Sequence, residues 1–269
     1  MSWTTSMTSD NRSADLPEVK EANSFLSKYA AMLLGCGATC IRIEKNVRRM
    51  SEAFGVEAEM TIMPSHILLT VWDKGHTHSY SGIERIGKGG ISFHLNTRLS
   101  KLSWEVADGK TDFAEARRKL DEMALTPPAN RWLVLFLASS ANASFCRLFN
   151  GDVVSMLLVF AATLAGYLLK QMMIEDKADI RFTFFCCAFL SSVIGSGGYV
   201  FGWGGTPSIA LGTSVLYLIP GVPYINSVSD MLDGHYICSF SRFMNAAILT
   251  FCLSAGLCGG LLLMNLRWF

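Results

Sequence analysis

The chain has 269 residues, with 23 Lys and Arg against 22 Asp and Glu, a formal net charge of +1 and a mean hydropathy of +0.32. So even a balance offers no basic surface for nucleic acid, and no nucleic-acid partner is expected. The eight cysteines lack a paired CxxC pattern, which argues against a zinc ribbon, and most fall in apolar segments as reduced thiols.

The average hides a division. Charge is dense to about Arg131 and sparse beyond it, where apolar runs of membrane length begin. The expected architecture is a small cytosolic α+β domain over residues 19–126, followed by an α-helical membrane domain over residues 127–269. The latter has about five transmembrane helices, one of them broken at Pro220–Pro223. Residues 1–18 lack the apolar core of a secretory signal and read as a disordered tail, which leaves the α+β domain in the cytosol.

Within the first domain, apolar residues from Phe25 to Phe54 recur at steps of three and four, predicting one long amphipathic helix over 19–54. Gly35 and Gly37 interrupt it, either for a close backbone contact or at a kink. Arg42, Glu44, Lys45, Arg48, Arg49 and Glu52 lie largely off the apolar stripe; Arg42 and Glu44 near the two glycines could mark a contact surface, but a solvated helix face is the expected reading. Alternation predicts strands over 57–63, 66–72 and 77–86, the last two joined by a hairpin at Asp73–His76. Helices follow over 93–107 and 112–123. His76 and His78 could share a strand face as a metal pair, but exposed hairpin histidines are the commoner case, and no metal site is expected. The GKGG run at 87–90 lacks phosphate-loop spacing. No nucleophile–base set, HExxH or GxSxG occurs, so neither a catalytic residue nor a cofactor is expected.

In the second half, spans are predicted over 131–145, 153–173, 182–200, 209–225 and 240–266. Arg117, Arg118, Lys119, Arg131, Lys170, Lys177, Arg181 and Arg242 fall on one side of these spans. Only Arg147 and Arg267 fall on the other, predicting a cytoplasmic amino terminus and an outside carboxyl terminus in a cell inner membrane. Asn142, Arg147, Asn150 and Asp152 gather at the first inter-span turn, as pathway residues or as an ordinary outer loop. Gly198 with Gly202, and Gly256 with Gly260, form GxxxG pairs suited to close helix packing, internal or against a partner.

Around the break the order is Pro220-Gly221-Val222-Pro223. Each proline lacks an N–H, freeing the carbonyls of Leu216 and Ile219, a cost in hydrocarbon unless protein or a wet cavity surrounds them. From Pro207, about 13 residues at 1.5 Å each reach only ~20 Å, short of the ~30 Å core, so the break should lie inside the bilayer. Beyond it Asn226, Asp230 and Asp233 share a helical face, either as a solute site or as simple loop caps. Pro220, Gly221, Pro223, Asn226, Asp230, Asp233 and Arg242 are the candidate substrate and ion pathway. Five spans with one broken helix make half a transporter, so a partner chain or homo-oligomer is expected. The rival is a membrane-anchored ligand-sensing or assembly scaffold without flux.

Four segments, GCGATCIRIEKNVRRMSEAFG at 35–55, ANRWLV at 129–134, FCRLFNGD at 145–152 and IPGVPYINSVSDMLDGH at 219–235, together resemble the threonine/serine exporter (ThrE-type) family. The resemblance implies proton-motive-force-driven export of threonine and serine or of a succinate-like dicarboxylate. It further implies the larger subunit of a split form that works with a separate small membrane subunit. Pro220, Gly221, Pro223, Asn226, Asp230 and Gly234 match the family's broken-helix signature, and Arg242 its following basic position. Tyr224 stands where a larger aliphatic is usual.

Overall fold

A computed structural model describes residues 18–87, 90–127 and 129–266. The expected tail, part of the 87–90 turn and Arg267 therefore fall outside the described residues. In chain order the elements are α1 (Val19–Gly35), α2 (Cys40–Ala53), β1 (Val56–Ile62), β2 (His66–Asp73), β3 (Ser79–Arg85), α3 (Phe93–Ala107), α4 (Phe113–Ala124), α5 (Arg131–Leu148) and α6 (Val153–Glu175). Then come α7 (Ile180–Gly195), α8 (Gly197–Phe201), α9 (Pro207–Ser214), a 3-10 turn (Leu216–Leu218), α10 (Gly221–Leu232) and α11 (Tyr236–Leu263).

The chain forms two compact units, crossing between them three times: one runs up to Thr126 and adds Ile225–Arg242, and the other holds Pro127–Tyr224 and Phe243 onward. In the first unit the strands form an antiparallel meander in the order β1-β2-β3, with Val56 opposite Asp73 and His66 opposite Arg85. Ile67, Leu69 and Val71 alternate inward from β2 and are fully buried. Asn23 of α1 fixes that helix to the sheet, donating to Leu69 O at 2.8 Å and Tyr80 O at 3.1 Å. Phe25, Phe54 and Phe113 close the far side in edge-on contacts of 5.2–5.7 Å.

One expectation fails here. The predicted single helix over 19–54 is two helices, because Gly37 sits at φ +93°, a left-handed conformation that costs other residues roughly 1–2 kcal/mol. A side chain there would also press on Ile91 at 3.2 Å. The apolar period runs through the break undisturbed, which is why periodicity alone did not reveal it.

Along the chain, α6, the α7–α8 segment Ile180–Phe201, and α11 are each long and apolar enough to cross a membrane. The pair Pro207–Leu218 and Gly221–Leu232, bent by 61°, makes a fourth if counted as one span. The chain is thus a multi-pass membrane protein. Among the described residues α5 is not in that set; its 18 residues include Ser139, Ser140, Asn142, Ser144 and Arg147. Helices α7 and α11 meet at small residues: a Cβ on Gly256 would collide with the Phe185 carbonyl oxygen, and one on Gly260 with Ser192 Oγ. This GxxxG pair therefore packs internally.

Replacing Gly256 by alanine should destabilise the full-length protein by about 1–3 kcal/mol, because a backbone carbonyl must move. Gly212→Ala, in open space on α9, should be neutral within about 0.5 kcal/mol. Thermal unfolding of both variants in detergent measures the difference.

Candidate functional site

The joint between α1 and α2, residues Cys36 to Thr39, cannot satisfy its own backbone. The α1 end closes with Gly37 N–H on Leu34 O at 3.1 Å and Ala38 N–H on Leu33 O at 3.1 Å. Thr39 occupies the position before α2 where a hydroxyl would normally cap the helix, yet its side chain makes no such bond. The carbonyls of Cys36, Gly37 and Ala38 and the N–H of Cys40 need outside partners. Ser92 N–H serves the first at 3.0 Å. The other three are served by one distant segment.

That segment is the hairpin Ile225–Arg242, most of α10 and the start of α11, within the same unit. Asn226 Nδ2 donates to Gly37 O at 2.8 Å, Arg242 donates to Ala38 O at 2.7 Å, and Cys40 N–H donates to Asp230 Oδ1 at 2.8 Å. The Asp230 carboxylate lies fully buried against Arg242 at 2.8 Å, and those two atoms have no further hydrogen-bond partner among the described residues. A buried carboxylate is tolerable only with such company. It also places negative charge at the amino end of α2, where the helix dipole favours it.

The hairpin is built to present these groups. Pro220 forces the residue before it out of the helical region, and Ile219 accordingly sits at φ −61°, ψ 124°. The carbonyls expected to be freed are bonded locally, Leu216 O by Ile219 N–H at 3.1 Å and Ile219 O by Gly221 N–H at 2.8 Å. Gly221 opens α10 and Pro223 falls in its first turn, where a missing N–H costs little. Gly234, at φ +86°, turns the chain into α11. Ser227 and Ser239 then clasp the two helices by reciprocal bonds to each other's carbonyls, at 2.9 and 2.7 Å. Further contacts run from Cys238 Sγ to Ile62 O at 3.3 Å and from His235 to Glu44 at 3.5 Å.

Of the expected pathway residues, Asn226, Asp230 and Arg242 come together at one joint, whereas Asp233 lies exposed beyond the end of α10. The sequence had placed the first two on one helical face, but not the joint they grip. Its only trace was the run Gly35-Cys36-Gly37-Ala38-Thr39, and nothing flagged the Ser227–Ser239 clasp. Burial pushes the Cys36 thiol up to about 11, and its hydrogen bond with Cys238, then burial, raises the Cys40 thiol; both thiols are free.

The second group is dispersed over the turn it was expected to share. Asn142 is buried one helical stretch earlier, donating to Thr163 Oγ1 at 2.6 Å and Thr213 O at 3.1 Å. Arg147 reaches only Gly151 O, at 3.1 Å, and Asn150 takes a left-handed turn at φ +65°. Asp152 caps α6 through Ser155 N–H at 2.9 Å. It also accepts from Gly205 N–H at 2.8 Å and Thr206 Oγ1 at 3.0 Å. These bonds, led by those from Ser155, hold its carboxyl well below the usual range. His76 faces Glu57 at 3.0 Å, and among the described residues no group of three potential metal ligands occurs.

A family model described as "Putative threonine/serine exporter" matches residues 24–264. The "Probable succinate transporter subunit YjjP" of Klebsiella aerogenes is 26% identical over 259 residues, 94% of this chain and 98% of the relative. The protein of the same description from Escherichia coli K12 is 28% identical over 242 residues, 87% and 91% of the two chains. No solved structure matches.

Asp230→Ala leaves Arg242 buried without its carboxylate and α2 uncapped, and should cost the full-length protein about 3–5 kcal/mol. Asp230→Asn, which keeps an oxygen for Cys40 N–H, should cost clearly less. Adding Arg242→Ala to Asp230→Ala should cost less than the sum of the singles. Thermal or chemical unfolding of the four variants checks the order.

Proposed function

Because the chain belongs to the threonine/serine exporter family, we propose that it is the larger membrane subunit of a secondary exporter of small carboxylate solutes, threonine and serine or a succinate-like dicarboxylate. The names of the Klebsiella and Escherichia relatives, each a succinate transporter subunit, support the dicarboxylate and a partner. A separate small membrane subunit, or a second copy of this chain, completes the route, and the proton motive force drives it. In this reading five spans cross the inner membrane: α5, α6, α7 with α8, the bent pair, and α11. The amino terminus is cytoplasmic, as the lysine and arginine distribution favours.

The observation that carries the proposal is the 61° break inside an otherwise span-like apolar pair. Irregular backbone at membrane depth is tolerated where it lines a route or is buried in protein. Pro220, Gly221 and Pro223 form that break, and α10 directs its positive amino end at a passing carboxylate. Asn226, Asp230 and Arg242 act by holding α10 to the amino-terminal domain, so that a shift of the joint moves the break. Asp233, exposed just beyond the end of α10, meets solute or proton. At the other end of α9, Asp152 and Thr206, with Arg147 and Asn150 in the adjoining turn, form the opposite mouth, and Asn142 braces the helices between.

Reconstituted with its small subunit in liposomes under a proton gradient, the protein should move labelled threonine, serine or succinate. Asn226→Ala, which removes one bond worth about 1 kcal/mol, should slow that flux about five- to tenfold while leaving the protein inserted. No flux of any of the three solutes would reject the exporter in favour of a ligand-sensing scaffold.

A further inference from the structure

Three cations on α2 recur at one face: Arg42, Lys45 and Arg49, at i, i+3 and i+7. Opposite them α3 repeats the spacing with Thr97, Ser100 and Trp104. The two rows line a concavity of about 510 Å³, within the range of small-molecule sites. No carboxylate lines it. The acids of α2 are turned elsewhere, Glu44 to His235 at 3.5 Å and Glu52 to Arg48 at 3.0 Å.

Two of the three cations, Arg42 and Arg49, are held in place by neutral groups, so their charge is positioned but not cancelled. Arg42 donates to Asn96 Oδ1 at 3.0 Å. Arg49 donates to Asn46 Oδ1 at 3.1 Å and Ser103 Oγ at 2.8 Å, and its guanidinium lies 3.5 Å over the Trp104 ring. Asn46 is itself fixed by donating to Tyr29 Oη at 3.0 Å, and Tyr29 Oη to Leu99 O at 2.9 Å. A solvated charge row needs no such scaffolding. Fixed guanidinium forks beside hydroxyls are the donor set that binds carboxylate and phosphate oxygens in pairs.

We propose that this cleft is a binding site for a small soluble organic anion carrying two or more carboxylate or phosphate groups. Arg42 and Arg49 take its anionic ends, Lys45 adds a mobile third charge, and Ser100 supplies a hydroxyl contact, whereas the Thr97 hydroxyl already donates to Phe93 O at 2.8 Å. The site lies wholly in the first unit and is distinct from the broken helix. It borders the joint, because Thr39, which also lines it, directly precedes Cys40. An occupant therefore bears on the same linker that Asn226, Asp230 and Arg242 grip.

Titration calorimetry of the full-length protein in phosphatidylcholine discs with succinate, citrate and fructose 1,6-bisphosphate tests this. At least one anion should bind saturably, more weakly as salt rises. Arg42→Gln or Arg49→Gln should weaken it by about tenfold or more, Lys45→Gln should weaken it less, and Arg48→Gln, outside the cleft, should leave it unchanged. Because Lys45 makes no structural contact, loss in its variant separates binding from misfolding. Absence of saturable binding, or binding equal in all variants, overturns the proposal. So does phosphatidylglycerol retained in native mass spectra by the wild type and lost with Arg49→Gln while the soluble anions fail to bind, since that assigns the row to a lipid headgroup.

Discussion

The amino-terminal unit depends on one buried ion pair. Asp230 has no exposed surface, and a carboxylate so placed would cost several kcal/mol if unpaired. Arg242 neutralises it, and Cys40 N–H takes its second oxygen. The same arginine continues to Ala38 O, so charge neutralisation and backbone satisfaction are one arrangement. The left-handed turn at Gly37, the break between α1 and α2, and the seating of the α10–α11 hairpin all follow from it. Remove the pair, and the Ala38 carbonyl and the Cys40 N–H lose their partners together.

The second unit is held by other means. Apolar side chains give helices no preference for one another over lipid, so contact must come from close approach and hydrogen bonds. A Cβ on Gly166 would collide with Tyr217 Oη and Ser191 Oγ, two groups that bond each other at 2.9 Å. Asn142 ties α5 to α6 and to the Thr213 carbonyl, and Asp152 ties the α5–α6 turn to the start of α9. Lys170, within α6, lies over the rings of Tyr167 and Phe184 at 5.5 and 5.1 Å, the kind of company a cation finds where carboxylates are scarce.

Much of this was legible in the residues because it is local. Alternation over 57–63 pointed to the sheet, and Asp73 to His76 to the hairpin. The double proline fixed the position of the helix break, since proline acts on its own neighbours whatever the surroundings. What failed was long-range. Gly37 was visible as an interruption, but whether a helix bends or ends there depends on who takes the liberated carbonyls. Helical spacing grouped Asn226, Asp230 and Asp233, yet spacing says nothing of what lies opposite. The row of Arg42, Lys45 and Arg49 looked like an ordinary solvated face, because its meaning depends on Trp104 and Ser100 from another helix.

The distance along the chain between the two halves of the joint has a consequence for biogenesis. Cys40 and Asp230 are 190 residues apart, and Ala38 and Arg242 204. At about 5–20 residues per second, a ribosome that has finished α2 takes roughly 10–40 s more to deliver the partners that close it. Throughout that interval the nascent domain carries an open seam, while the translocon receives one hydrophobic helix after another. Completion of the earlier-made part thus waits on one made about 190 residues later, and a chain stalled or degraded in between never closes its amino-terminal domain.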